Sequence, residues 1–277
     1  MRTSILFLAT VGLGLVACGS HRSEPDTEGL DSEAAALVSD SAEADDTEES
    51  LEVGVEETLS GAAPGAEVSG DDGDGLADKA RLNAGLHFKP AGCIVSTRAL
   101  NVVTHVFTNC TGPYGLVSYN GTVTSTWTKI ANGAQVVHAT TGFKINGATV
   151  DHNVTIQYTK LAGVYTRTRK GLLTGTTGKG HAIKHTADYV MHFDASTRCI
   201  TRDGSSQTTV GARAWSRSIA GFERCGIGLG GCPKSGTITL DTPKRDVTLS
   251  FPGGAEVDIT VDGKKFRRAL FCNASAS

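Results

Sequence analysis

Residues 246–263 read DVTLSFPGGAEVDITVDG, and this stretch sets the fold class of the chain. Apolar side chains occupy every second position in it: Val247, Leu249, Phe251, Val257, Ile259 and Val261. A period of two is typical of antiparallel strands with one buried and one solvated face. Gly253-Gly254 and Asp262-Gly263 favour the tight turns that join such strands. The stretch therefore predicts strands linked by hairpin turns.

The same pattern recurs upstream. Val154, Ile156 and Tyr158 alternate with polar residues, and residues 180–194 alternate over the length of one long strand. Further turn signals stand at Asn120-Gly121, Asn132-Gly133, Asn146-Gly147 and Asp203-Gly204. We predict an all-β fold, a large twisted antiparallel meander of about ten strands that is half-barrel or sandwich-like. The one helix that we expect is a short one around residues 76–82.

The net charge of −3 hides two segments of opposite charge. Residues 21–80 hold 19 acidic and two basic residues, whereas residues 81–277 hold ten acidic and 23 basic residues. The acidic segment has no aromatic residue and too little apolar surface to offset its chain entropy. We predict a signal peptide over residues 1–17, a disordered acidic tether over residues 18–83 and a β domain over residues 84–277.

The first residues predict export and lipidation. Residues 5–16 form an apolar run behind Arg2 that is too short to span a bilayer and has the length of a signal-peptide core. Leu15-Val16-Ala17-Cys18 closes the run in the pattern of a bacterial lipobox. Cleavage before Cys18 exposes the thiol that takes diacylglycerol and acyl chains such as palmitate. We expect a lipid-anchored envelope protein, and the absence of Asp after the cysteine favours the outer membrane. An ordinary secretory signal is the alternative.

Six further cysteines lie in the β domain, and an even number in an exported chain predicts three disulfides. Spacing alone favours Cys93–Cys110, Cys225–Cys232 and Cys199–Cys272 among the many pairings that six cysteines allow. The sequence holds no Cys-x-x-Cys pair, and we expect no zinc site.

Residues 72–78 read DGDGLAD and resemble the calcium loop of thrombospondin type 3 repeats. In such loops, Asp residues at alternate positions supply oxygen ligands to the ion. Asp72, Asp74 and Asp78 match the pattern, whereas Gly70 stands where a first Asp is expected. These residues form a weak calcium candidate, and an acidic, glycine-rich linker end is the alternative.

Three basic stretches supply candidate ligand-binding residues. Basic side chains interleaved with aromatic ones suit acidic polysaccharide, lipopolysaccharide or phospholipid. The residues are Tyr165, Arg167, Arg169, Lys170, Arg213, Trp215, Arg217, Lys264, Lys265, Arg267 and Arg268. Three alternatives stay open: exposed Lys and Arg protect sheet edges from pairing, Trp215 points into the core, or the acidic tether folds back on the domain.

Hydrolytic chemistry finds less support. It needs an acid beside a histidine, and the neighbours to test are Asp151 with His152, and His185 with Asp188 or Asp194. The chain has no Gly-x-Ser-x-Gly elbow. The Gly-x-Gly-x-x-Gly run at residues 226–231 lies between two cysteines with no helix after it, and we expect no nucleotide cofactor.

The phrases AGCIVS (residues 91–96), FTNCTGPYGL (107–116) and SYNGTVTSTW (118–127) resemble uncharacterised lipoproteins of myxobacteria and related bacteria. Those proteins also join a lipobox to a Cys/Thr/Gly-rich β domain whose closing hairpin ends in cysteine, here Cys272. The resemblance covers residues 90–272 and implies no activity.

Together these features predict a non-catalytic envelope lipoprotein, a binding or structural domain displayed on a tether. A binder or carrier of anionic polymer or lipid is the alternative, and a curved apolar groove would favour the lipid carrier. A secreted hydrolase is the weakest hypothesis. We expect a monomer held to the bilayer through Cys18, without cofactor or intracellular nucleic-acid partner.

Overall fold

The computed structural model describes residues 73–83, 88–112, 117–178, 180–225, 231–270 and 272. The predicted signal peptide, Cys18 and most of the predicted tether lie outside these residues. The described elements, in chain order, are α1 (Gly73–Asn83), β1 (Ile94–Ala99), β2 (Val102–Thr111), β3 (Ser118–Ile130), β4 (Gly133–Ile145), β5 (Ala148–Leu161), β6 (Val164–Thr176), β7 (Ala182–Asp194), β8 (Cys199–Val210), β9 (Arg213–Cys225), β10 (Pro233–Asp241), β11 (Asp246–Ser250), β12 (Glu256–Val261) and β13 (Lys264–Ala269).

All thirteen strands form one antiparallel sheet whose order in space is the order along the chain. The prediction of an all-β meander is confirmed, with thirteen strands in place of about ten and one open sheet in place of a two-sheet sandwich. The long strand predicted at residues 180–194 is β7. Its apolar positions face the same way as predicted, since Ile183 and Tyr189 are buried.

Four of the predicted turn signals join strands. Asn132, Asn146 and Asp262 adopt positive φ angles between paired strands, as tight hairpins require. The Gly253-Gly254 pair lies in the connection between β11 and β12. At these four sites, the turns predicted from residue types connect consecutive strands of the sheet.

The other two signals are not turns, which corrects the prediction. Asn120-Gly121 and Asp203-Gly204 lie inside β3 and β8, where they face β-bulges of the neighbouring strands. The Asn120 side-chain oxygen accepts a hydrogen bond from the N–H of Asn109 at 2.7 Å. Asp203 accepts one from the N–H of Gly221 at 2.6 Å. A bulge needs a positive φ and an acceptor for its displaced N–H, so the same residue types serve a bulge as well as a turn.

The sheet is concave on its buried side. The rings of Phe107 on β2 and Phe143 on β4 lie 5.4 Å apart, although β3 runs between the two strands. Phe222 on β9 and Phe251, just after β11, lie 5.3 Å apart in the same way across β10. Gly121 stands directly between the first two rings, where a Cβ would come within 3.0 Å of Phe143. This curvature follows from strand twist accumulated over many strands.

Helix α1 belongs to the folded domain, which moves the predicted domain boundary from residue 84 to residue 73. The apolar side chains of Leu76, Ala77 and Ala80 are buried in the core cluster shared with β2–β5. The helix contacts β1, β2 and β3. Its formation confirms the short helix expected around residues 76–82.

Three disulfides join Cys93 to Cys110, Cys199 to Cys225, and Cys232 to Cys272. The first pair was predicted; the other two correct the preference drawn from spacing. Cys199 and Cys225 lie directly opposite each other on β8 and β9, with their Cα atoms 4.0 Å apart. Register therefore outweighs closeness in sequence. The three disulfides indicate an oxidising environment outside the cytoplasm.

Candidate anion-binding face

Side chains of a strand alternate between the two faces of its sheet. We call inner face the side that carries the buried Val123, Val136 and Val154, and outer face the opposite side. The inner face holds two apolar clusters. The larger one spans β2–β5 and continues toward β12, and the smaller one gathers residues of β7 and β9–β12 with Phe251.

Arginines lie among these apolar side chains. Arg169 on β6 stands in register between Ile156 on β5 and Tyr189 on β7, and is only 3% exposed. Its guanidinium leans over Gly171, where a Cβ would come within 3.4 Å of it. A buried guanidinium stays charged and loses its hydration, so its surroundings must supply hydrogen-bond acceptors or an anion.

Further arginines share the inner face, among them Arg167, Arg202 and Arg217. Arg167 and Arg202 stand in register with Met191, which lies between them on β7. The guanidinium of Arg202 lies 4.5 Å from the ring centroid of Tyr189, a cation–π contact. Burial lowers the pKa of Arg217 to about 10, so this side chain stays protonated at neutral pH. The inner face is thus cationic as well as apolar.

Acidic residues are arranged in the opposite way. All ten acidic residues of residues 81–277 are described, and each lies on the outer face or in a turn. They are Asp151, Asp188, Asp194, Asp203, Glu223, Asp241, Asp246, Glu256, Asp258 and Asp262. Acidic side chains of residues 81–277 are therefore confined to the outer face and the turns, whereas basic side chains occur on both faces.

Histidines occupy the inner face in pairs with hydroxyl groups. His105, His138 and His185 are at most 1% exposed. Each has its Nδ1 2.7–2.8 Å from the hydroxyl of the residue directly opposite on the next strand. The partners are Ser96, Ser125 and Thr208, respectively. The hydroxyls satisfy one ring nitrogen and hold each imidazole in place.

Burial lowers the pKa of two of these histidines, His105 and His138, and so favours their neutral form. It lowers the pKa of His105 to about 4. The pKa of His138 is also lowered, first by burial and then by the nearby charges of His152, His105 and Arg167. Because these groups come from β2, β5 and β6, side chains two strands apart meet at His138. Three histidines and Arg167 therefore lie close together on the concave side of the sheet.

The predicted basic stretches are split between the two faces. Tyr165, Arg167 and Arg169 of the first stretch lie on the inner face of β6, where Tyr165 stacks on Phe193 at 6.0 Å. Lys170 lies on the outer face and pairs with Asp188 at 3.2 Å. Strand alternation separates Lys170 from its predicted neighbours.

The second stretch lies on the inner face of β9. Trp215 is 4% exposed and Arg217 is half-buried, whereas Arg213 at the start of the strand is exposed. The alternative that Trp215 points into the core is therefore correct.

The third stretch, on the edge strand β13, alternates. Lys264 and Arg268 stand opposite Val261 and Val257 of the inner face, whereas Lys265 and Arg267 are on the outer face. Arg267 binds Asp258 through two hydrogen bonds and so holds the pKa of that carboxyl below its usual range. The eleven candidates do not form one external basic surface; they contribute to two faces.

The acid–histidine neighbours proposed for hydrolysis are also on opposite faces. His152 is buried on the inner face of β5, while Asp151 is exposed and accepts a hydrogen bond from the N–H of Gly142 at 2.5 Å. His185 faces inward and Asp188 outward on β7. These pairs cannot act together in catalysis because the sheet separates them.

The residues of the predicted calcium loop do not form a loop in the structure where they are described. Asp74 and Asp78 lie in helix α1 and not in a loop, and Asp72 lies outside the described residues. The Asp78 carboxylate is 3.0 Å from the Arg81 guanidinium and 3.9 Å from that of Arg98. An arginine-bound helical carboxylate is unavailable to a calcium ion.

One further cluster has the residue types of a metal site. Glu223 has a carboxylate oxygen within 4.8 Å of the sulfurs of Cys199 and Cys225. Both sulfurs belong to one disulfide, so neither can act as a thiolate ligand. This cluster therefore offers no metal centre in the oxidised protein.

A shallow groove lies toward the outer face of β7–β10, with a volume of about 530 Å³. Its lining includes the polar outer-face residues Lys184, Thr186, Gln207, Ser216 and Asp241. Among the described residues, no helix has the length and apolar character needed to cross a membrane.

Sequence reasoning missed part of the inner face. Arg202 stands in a polar run, ITRDGS, in which the apolar alternation that marks a buried strand face is missing. His105 and His138 gave no signal of their own, because the hydroxyls that partner them are 9 and 13 residues away in sequence. The sequence did contain one indication: Arg167 and Arg169 are an even number of residues from Leu173 on the same strand, which places all three on one face of the sheet. Leu173 is buried, so that face is the inner one. No protein-family model, curated protein or solved structure matches this chain.

Proposed function

We propose that this chain is a non-catalytic lipoprotein of the bacterial cell envelope whose β domain binds an acidic amphiphile on its inner face. The apolar run before Leu15-Val16-Ala17-Cys18 supports export and lipidation at Cys18. The lipid anchor and an outer-membrane location are part of the proposal, as is kinship with the myxobacterial lipoproteins that the sequence resembles.

The observation that carries the binding role is the distribution of charge between the two faces. Arg167, Arg169 and Arg217 lie on the inner face, and the ten acidic residues of residues 81–277 lie elsewhere. Buried guanidinium groups favour carboxylate or phosphate, which they can bind through two parallel hydrogen bonds. The inner face therefore offers guanidinium groups that suit a ligand with a carboxylate or a phosphate.

The ligand class follows from what surrounds the arginines. Ile156 and Tyr189 flank Arg169, and Leu240 stands beside Arg217 in register. A ligand with an acidic head and an apolar chain matches both parts of this surface. An extended anionic polymer fits less well, since it needs a continuous exposed basic surface, and the predicted basic residues are divided between the faces.

Intrinsic fluorescence can test the binding. The chain has two tryptophans, Trp127 and Trp215, and both are buried on the inner face. The full mature chain with Cys18→Ser would be titrated with lysophosphatidylglycerol or with lysophosphatidylcholine. We expect a saturable change for the anionic lipid and at least tenfold weaker binding of the zwitterionic one.

Paired variants locate the site. Arg169→Gln should weaken lysophosphatidylglycerol binding at least tenfold, and Lys170→Gln, its neighbour on the outer face, should leave it unchanged. Arg169→Lys, which keeps the charge, controls for folding. Equal binding of both lipids, or equal effects of the two Gln variants, would overturn the binding role. Loss of palmitate labelling in Cys18→Ser, with the protein moving out of the membrane fraction, tests the anchor separately.

A further inference from the structure

We infer that residues 51–59, an acidic segment of this same chain, dock on the arginine-bearing inner face when no ligand is bound. The inference rests on the anion-binding role proposed for that face, but not on the identity of the ligand. It assigns the inner face an intramolecular occupant that an outside ligand must displace.

The described chain begins beside the arginines. At Gly73, the first residue of α1, a Cβ would lie 2.8 Å from the carbonyl oxygen of Trp127, so the backbone lies directly against β3. Trp127 shares one inner-face row with Val136, Ile156 and Arg169, since each stands opposite the next on β3 to β6. The chain that precedes Gly73 therefore joins the domain at the end of the row that holds Arg169.

The distance from Gly73 is within reach of the acidic segment. A flexible chain spans about 5–6 Å times the square root of its residue number, which is about 20 Å for the residues between positions 59 and 73. Neighbouring strands lie about 5 Å apart, so β6 is about 15 Å from β3 along the sheet. Residues 51–59 can therefore reach Arg169 and Arg167 without stretching.

The composition of the segment complements the inner face in two respects. Residues 51–59 read LEVGVEETL, in which Leu51, Val53 and Val55 alternate with polar or small residues. Apolar side chains at every second position match a face that is largely apolar. Glu52, Glu56 and Glu57 supply the carboxylates that guanidinium groups bind.

Charge and tethering strengthen the docking. Residues 21–72 hold 17 acidic residues and one basic residue, and they are covalently joined to a domain with 13 more basic than acidic residues. A short tether raises the effective concentration of such a segment to the millimolar range. An outside anion at lower concentration must then bind more tightly than the segment to replace it.

Hydrogen exchange on the full mature chain with Cys18→Ser tests the docking. We expect the amides of residues 51–59 to exchange at least tenfold more slowly than those of an unstructured peptide of the same sequence. The triple variant Glu52→Gln, Glu56→Gln and Glu57→Gln should lose that protection. The matched variant Glu24→Gln, Asp26→Asn and Glu28→Gln removes three acids farther from the domain and should keep it.

Lipid binding gives the second measurement. Removing the competing carboxylates should tighten lysophosphatidylglycerol binding at least threefold in the Glu52, Glu56 and Glu57 variant and not in the matched variant. Unprotected amides at residues 51–59 in the unmodified segment would overturn the inference, as would protection that both triple variants retain. Protection without any lipid binding would leave the docking standing and overturn the ligand proposed above. Lipid binding with unprotected amides would support the proposed ligand and overturn the docking of residues 51–59.

Discussion

Ser125 on β3 and His138 on β4 lie directly opposite each other, and the Ser125 hydroxyl is 2.8 Å from Nδ1 of His138. Both residues are at most 1% exposed. The same cross-strand arrangement joins Ser96 to His105. Polar side chains are costly inside a domain unless they are hydrogen-bonded. These pairs let the inner face carry polar groups at an acceptable cost in stability.

Removing a hydroxyl from this arrangement should destabilise the domain. We expect Ser125→Ala to lower the free energy of unfolding by about 1–3 kcal/mol, because Nδ1 of His138 then stays buried without that partner. Urea unfolding measures the change. Thr122→Ala, on the exposed side of the same strand, should change stability by less than about 0.5 kcal/mol. Equal effects of the two variants would contradict the structural role of the pair.

Acid should destabilise the domain through its buried histidines. The pKa of His105 is about 4 in the folded protein and about 6.5 in the unfolded chain. The unfolded chain therefore binds more protons between these values. The contribution of His105 is complete above pH 6.5 and decreases as the pH falls toward 4, with a total of about 3 kcal/mol. The lowered pKa of His138 acts in the same direction.

Urea unfolding at pH 7, 5.5 and 4.5 measures this dependence. His105→Gln removes the titrating group and retains a side chain that can hydrogen-bond Ser96. The variant should show a shallower loss of stability than the parent between pH 6.5 and 4.5. Parallel profiles for the two proteins would show that the acid sensitivity arises elsewhere.

Two glycines with positive φ, Gly204 and Gly163, differ in whether the structure has space for a Cβ atom. Alanine variants at the two positions therefore distinguish a steric clash from backbone strain. A Cβ at Gly204, inside β8, would lie 2.2 Å from the carbonyl oxygen of Asp188, whereas one at Gly163, in a hairpin turn, would meet no atom within 4 Å. Gly204→Ala should cost about 3 kcal/mol or more, because rigid backbone must move. Gly163→Ala should cost about 1 kcal/mol from its φ of 84° alone. Similar unfolding midpoints for the two variants would argue against the close backbone contact at Gly204.

Disulfide connectivity can be tested with single variants. Cys232→Ser should leave Cys272 as the residue that reacts with a thiol reagent, as shown by peptide mass spectrometry. The pairing favoured by spacing would leave Cys225 reactive instead. Loss of this disulfide, which joins residues 40 positions apart, should lower the free energy of unfolding by about 4 kcal/mol in the chain-entropy model.

The comparison between sequence and structure is clearest at the Asn-Gly and Asp-Gly pairs. Asn146-Gly147 makes a hairpin, whereas Asp203-Gly204 lies in the middle of β8 and faces a β-bulge of β9. Both need a positive φ and a polar side chain, which are local properties that residue types reveal. Whether the chain reverses there depends on the strand that pairs with it, and that strand is distant in sequence.

The sequence by itself determined the period-two strands, most of the turns, the opposite charges of the two segments and the presence of six pairing cysteines. These properties depend on neighbouring residues, which interact in any extended chain. Tertiary structure alone decided that Cys199 pairs with Cys225 and that Arg167 and Arg169 lie inside the curve of the sheet. It also decided that every acidic residue of residues 81–277 lies on the outer face or in a turn. Register and curvature arise from the pairing and twist of thirteen strands together, and no single stretch of sequence contains them.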